Sequence, residues 1–132
     1  KRDRSTTQKK KKSGMTNLEW TDITSIETIE SAVEKSFSRP VIIYKHSTRC
    51  GLSSMVKSRL ERSWSMEPLP ATCFFLNLIQ YRHLSDHLSE RFQVIHESPQ
   101  ILIIVDGVCI FHDSHMGVNH SAIKQAIPLQ IQ

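Results

Sequence analysis

Cys50 stands where two patterns of the chain meet. Before it, Val41-Ile-Ile-Tyr44 is a short apolar run rich in β-branched residues, which suits a strand covered on both faces. After it, Leu52, Met55, Val56, Leu60 and Trp64 recur at three- and four-residue steps, the period of one helical face. The cysteine therefore falls at the first turn of a helix, where unpaired backbone N–H groups and the dipole favour negative charge. That is the setting of a reactive thiol. The thiolate is the nucleophile, and a helix N-terminus or basic neighbours lower a free pKa of ~8.5 to roughly 3.5–7.5. Arg49 is adjacent and His46 lies four residues back, so both are expected to add positive potential. Ser53 holds the position where a dithiol enzyme carries its second cysteine. Its hydroxyl can hydrogen-bond a thiolate but cannot close a disulfide. The stretch reads as a one-cysteine thiol site, against the plainer alternative of a cysteine packed as a small hydrophobe.

The remaining segments supply the scaffold. Asp22 or Thr24 is placed to cap a helix whose apolar stripe is Ile26, Ile29, Val33 and Phe37, with Trp20 packed beneath it. Pro40 ends that element and leads into the strand. Pro68 and Pro70 mark a loop, and Cys73-Phe-Phe-Leu-Asn-Leu-Ile79 reads as the next strand. Cys73 is expected to pack there, with a resolving role toward Cys50 as the alternative. Tyr81, Leu84, Leu88 and Phe92 form a further helical stripe. His83 and His87 sit one turn apart on it, a spacing that can bind metal but lacks a third ligand at a telling interval.

Ser98-Pro99 stands at the mouth of Ile101-Leu-Ile-Ile-Val105. A proline there removes a ladder donor, and a cis peptide bond is one reason to find it. Asp106-Gly107 between two apolar runs is a hairpin signal, with Val108-Cys-Ile-Phe111 returning and Cys109 in the core. His112 and His115 fall in a polar loop without zinc partners. Asn119 or Ser121 caps a last helix that ends near Pro128. The order is a βαβ half, then a β-hairpin and a helix. It predicts a four-stranded mixed α/β sheet with helices on both faces. In such sheets ligands bind beyond the carboxyl ends of the parallel strands, where Cys50 lies.

The chain of 132 residues is long enough for one cored domain, and its charged and apolar fractions are ordinary. The net charge of +4 is uneven. Seven basic residues and one acidic one give residues 1–14 a charge of +6, leaving −2 for the rest. Residues 1–14 are expected to be a disordered basic tail of leader or appended sequence, with residues 15–132 as the folded domain. Four lysines without interleaved aromatics do not make a nucleic-acid module. No apolar stretch nears the ~18 residues of a membrane span. The three cysteines have no disulfide-framework spacing, and no export signal precedes them, which favours the cytoplasm.

Lys45-His-Ser-Thr-Arg-Cys50 with Ser53, His96-Glu-Ser-Pro-Gln100 and Leu84-Ser-Asp86 together resemble the YtxJ-type bacilliredoxins, small thioredoxin-fold proteins. The similarity runs from about Leu18 to Pro128. The resemblance implies a thioredoxin-like fold, a reactive thiol on Cys50 and a cis-proline at Pro99. It further implies removal of bacillithiol, a low-molecular-weight thiol, from S-thiolated client proteins. That thiol serves as co-substrate, and no other cofactor, metal or nucleic acid is called for. In this reading Cys50 is assisted by Ser53, Arg49 and His46, and Ser98, Pro99, Thr48 and Gly51 seat the substrate. The family commonly has proline after the cysteine, where this chain has Gly51. Cys50-Gly-Leu-Ser53 also resembles the Cys-Gly-Phe-Ser of monothiol glutaredoxins, which bridge an iron–sulfur cluster. This chain lacks their Gly-Gly pair and has Glu-Ser-Pro for their Thr-Val-Pro. A binding module without turnover, built on the Pro99 edge, is the third alternative.

Overall fold

The computed structural model describes residues 18–128, so the basic tail of residues 1–14 lies outside the described residues. The elements run β1 (Trp20–Asp22), α1 (Ile26–Lys35), β2 (Val41–His46), α2 (Gly51–Met66) and β3 (Thr72–Asn77). Then come α3 (Arg82–Phe92), β4 (Gln100–Val105), β5 (Val108–Ser114), a 3-10 turn (His115–Gly117) and α4 (His120–Ala126). The sheet order is β1-β3-β2-β4-β5. β1 and β2 run parallel to β3, while β2–β4 and β4–β5 are antiparallel.

The sheet has five strands where the sequence predicts four. The missed strand, Trp20–Asp22, pairs with Cys73–Phe75. Three residues, Trp-Thr-Asp, carry too little alternation to show as a strand. The same correction moves Trp20. It packs on Tyr44 and Phe75, with ring centroids 5.8 Å from each, on the sheet face opposite α1. Its indole N–H donates to Glu61 of α2 at 2.7 Å.

β2 is the spine, and all six of its residues are buried, as a strand paired on both sides and covered on both faces should be. Its odd-numbered residues Val41 and Ile43 join α1 and α3 in one core cluster, through Ile29, Ala32, Val33, Leu84, Leu88 and Phe92. Ile42 and Tyr44 join α2 and α4 in the other. The cap of α1 is Ser25, whose hydroxyl accepts from the Thr28 N–H at 3.2 Å, and neither Asp22 nor Thr24 serves. Phe37, expected on the inner stripe, lies beyond the end of the helix at Lys35 and is largely exposed, and Ile26, at the first helical position, is about half exposed. Met55 of α2 is also exposed. Asp106 and Gly107 both have positive φ, as a tight hairpin turn requires, and a bulge after Ile103 follows. β5 reaches Ser114, so His112 lies in a strand and only His115 lies in the turn. Cys109 is half-buried against the α1/α3 core.

Candidate functional site

The carboxyl end of β2 turns into α2 through Ser47–Cys50. The Cys50 N–H donates to the Ser47 carbonyl at 3.1 Å, and the Arg49 N–H donates to the Ser47 hydroxyl at 3.3 Å. This serine turn breaks the strand and aims the chain into the helix. Cys50 is the N-cap residue, with φ −110° and ψ 112°, and its thiol makes no capping bond of ordinary geometry. It is partly exposed. The Ser53 backbone N–H holds its pKa below the ordinary thiol value against the opposing effect of burial, aided by the Leu52 N–H and the Ser53 hydroxyl. These are the unpaired donors of a helix start, a setting that favours a thiolate.

Ser53 is fully buried. Its hydroxyl accepts from the Ser47 N–H at 3.4 Å and its carbonyl accepts from the Tyr44 hydroxyl at 2.8 Å. Burial, eased by the Ser53 bond and reinforced by the nearby Cys50 charge, pushes the Tyr44 phenol far above its usual range, so it stays a donor. Ser53→Ala keeps the backbone donor and removes only the hydroxyl, so it is expected to move the Cys50 inflection modestly upward and to cost about 1 kcal/mol of stability for the orphaned Ser47 N–H. Alkylation against pH and a thermal melt read both.

The other sequence candidates are placed less closely. His46 stays in the strand, buried, with its ring 5.2 Å from Phe75 and 5.9 Å from Tyr44. Burial, with the Lys57 charge, lowers its pKa, so at neutral pH it brings no positive charge to the thiol. Arg49 and Thr48 are exposed. The groups that lower the Cys50 pKa are the Ser53 and Leu52 backbone N–H groups and the Ser53 hydroxyl, and neither Arg49 nor His46 is among them.

Gly51 is open, and a Cβ there would meet nothing within 4 Å. It is the first helical residue, a position that favours proline, and the dihedrals of Cys50 are close to those a residue before proline adopts. Gly51→Pro is expected to stabilise by about 0.4–1 kcal/mol through the unfolded chain. The Cys50 inflection should not move, since the donors are Leu52 and Ser53.

Across the sheet, the β2–β4 register pairs Lys45 with Gln100, so one step further brings Pro99 opposite His46. The Ser98–Pro99 peptide is cis. Pro99 is buried, and its carbonyl accepts from the His115 N–H at 3.0 Å. The Ser98 hydroxyl oxygen is buried without a partner. Cys73 is sealed on the α2 side of the sheet, and burial pushes its thiol up to about 12. Burial also raises the Cys109 thiol, partly offset by backbone hydrogen bonding at Phe111 and Ile103. Among the described residues no group of three or more His, Cys, Asp or Glu could hold a metal. No helix there is long and apolar enough to cross a membrane.

Lys45, Ser85 and His96 stand in the motifs quoted from the sequence but are given no role there, and they meet on the α3 side of the sheet. The signal was present in Lys45, an ionisable residue inside a strand buried on both faces.

The family model described as monothiol bacilliredoxin BrxC matches residues 21–123. Among solved structures, a putative oxidoreductase with a thioredoxin fold is 28% identical with a TM-score of 0.70, covering 80% of this chain and 90% of that one. Thioredoxin from Trypanosoma brucei brucei is 11% identical with a TM-score of 0.66, covering 87% and 93%. Thioredoxin from Malassezia sympodialis is 14% identical with a TM-score of 0.67, covering 88% and 93%. The last two speak for the thioredoxin fold alone.

Proposed function

The chain belongs to the monothiol bacilliredoxin BrxC family of thiol oxidoreductases, and on that premise we propose that Cys50 removes a bacillithiol-like small thiol from S-thiolated client proteins. The observation that carries the reading is the partly exposed Cys50 at the head of α2, its thiolate favoured by Ser53 and Leu52. In the proposed step the Cys50 thiolate attacks the small-thiol sulfur of the client mixed disulfide. A bond forms between Cys50 and the small thiol, the client S–S bond breaks, and the client sulfur leaves as a thiolate that takes a proton. No electrons are gained or lost overall. A second small-thiol thiolate then attacks the adduct, giving the symmetric small-thiol disulfide and free Cys50. Exchange is fastest when the attacking pKa lies near ambient pH, so a lowered but not extinguished thiol basicity suits the task. Ser53 holds the sulfur ionised, and Ser98-Pro99, with Thr48 and Gly51 at the rim, seats the incoming disulfide. The lowered thiol favours turnover over a passive binding module.

The test is intact-mass spectrometry of the wild-type chain mixed with a client protein carrying one bacillithiol disulfide. The expected result is a gain of one small-thiol mass on Cys50 alone and a matching free client thiol. A client that stays thiolated, or an adduct on Cys73 or Cys109, would contradict the reading.

A further inference from the structure

Lys45 has no exposed surface, although it sits in the central strand five residues before the reactive cysteine. Tyr44 and His46 flank it and belong to the α2 face, so its side chain crosses to the α3 face. There its Nζ lies 3.4 Å from the Ser89 hydroxyl and 3.4 Å from His96 Nδ1. The buried Ser85 hydroxyl reaches the same Nδ1 at 3.1 Å. Among the described residues no carboxylate comes within ion-pair distance of this ammonium. Asp86 and Arg82 of α3 act on it only through longer-range charge. His96 faces Lys45, Arg82, Asp86 and Glu97. A buried cation without a carboxylate mate is costly, and an apolar residue of similar size would pack there more cheaply.

What the ammonium joins is informative. His96 opens the loop Glu97-Ser98-Pro99 that leads into β4. With Lys45 as donor, His96 Nδ1 is an acceptor and the ring is the neutral Nε2–H tautomer. The same loop is held from its far end by Gln100, itself buried. The Gln100 amide donates to the Ile95 carbonyl at 2.8 Å and accepts from the Glu97 N–H at 3.4 Å. The strand that delivers Cys50 and the loop that delivers Pro99 are thus tied together on the face away from the sulfur.

We propose that Lys45, acting through His96, is a positioning residue that fixes the Glu97–Pro99 loop against the Cys50 turn and so sets how a partner disulfide is seated. The assignment rests on the thiol-exchange reading above. Neither side chain touches the sulfur, and neither is among the groups that lower its pKa. Loss of the tie should therefore harm exchange with a bulky disulfide and spare reaction with a small reagent.

The test compares wild type with Lys45→Met and His96→Phe in three measurements. These are kcat and KM for a client protein carrying a bacillithiol disulfide, the pH profile of iodoacetamide alkylation of Cys50, and thermal stability. A displaced loop is expected to lower kcat/KM on the order of 100-fold, mainly through KM. The alkylation profile and folding should be kept. Lys45→Arg, which restores a donor of similar length, should recover part of the loss. A Lys45→Met enzyme within twofold of wild type in kcat/KM overturns the inference alone, leaving the exchange reading intact. So does a loss of alkylation in parallel with exchange, which would mean that the residue acts on the thiol. A wild-type chain with an intact alkylation profile and no exchange overturns the reading and the inference together.

Discussion

The Cys50→Ser variant is expected to lose client dethiolation to the uncatalysed background and at the same time to melt higher than wild type. The first effect follows from the nucleophile. Serine has no accessible oxyanion at neutral pH, and no other described thiol is placed to substitute. Cys73 is buried with its thiol pushed up to about 12, and Cys109 is half-buried and also raised. The second effect follows from the helix. Cys50 occupies the N-cap with extended dihedrals and makes no ordinary capping bond. Serine is among the preferred residues there, and its oxygen would accept from the N–H groups now turned to sulfur, a gain of about 0.5–1 kcal/mol. For a chain of this size that is roughly 2–5 °C in melting temperature. A functional residue held at a stability cost is a common feature of active sites. Calorimetry with the client assay on one preparation checks both. A variant that melts lower, or that still accepts an adduct at the wild-type rate, would contradict the account.

Lys45→Met is expected to stabilise the chain near neutral pH, on the order of 1–3 kcal/mol. Burial, partly offset by Asp86 and added to by Arg82, lowers the Lys45 pKa from 10.5 to about 8. The sign follows from proton binding. Between about pH 8 and 10.5 the unfolded chain keeps the lysine proton and the folded chain has released it. Stability therefore rises with pH across that window. Below about pH 8 both states carry the proton, and the folded one bears the full cost of a desolvated ammonium. The displacement amounts to about 3 kcal/mol at most. Urea melts at a series of pH values should show the stability gap between Lys45→Met and wild type narrowing from about pH 8 to 10.5, a difference in which the shared titrations of Cys50, Cys73 and Tyr44 cancel. A gap that widens through the window, or a variant less stable than wild type at pH 7, would count against it. This stabilised variant is the same one expected to bind clients poorly, which separates the lysine's packing cost from its use.

Much of this molecule is legible in the sequence, for physical reasons that differ from residue to residue. The change from a β-branched run to a three-four period around Cys50 marks both the strand end and the helix start. The structure places the cysteine on that boundary. Asp106-Gly107 and Pro99 are residues whose backbone preferences are narrow, so they reveal their turns. β1 escapes because a three-residue edge strand is stabilised by its neighbour rather than by its own pattern. Trp20 then goes to the wrong face, since its partners Tyr44, Phe75 and Glu61 come from three distant elements. The thiol's surroundings are read half correctly. The groups that lower the thiol pKa are the helix-start donors and Ser53, and the two basic residues near it in sequence, Arg49 and His46, stand apart from that set. One side chain is exposed and the other is buried and neutral. Lys45–His96 is invisible to any local rule, being a contact between residues 51 apart.

The most direct measurement of the central claim is the rate of Cys50 alkylation by iodoacetamide across pH, followed by intact mass on the full chain with Cys73 and Cys109 as internal controls. The account predicts one modification, at Cys50, with an inflection below that of a free cysteine and upward movement of that inflection in Ser53→Ala. An inflection at or above that of a free cysteine, or modification of Cys73 or Cys109 at a comparable rate, would contradict it.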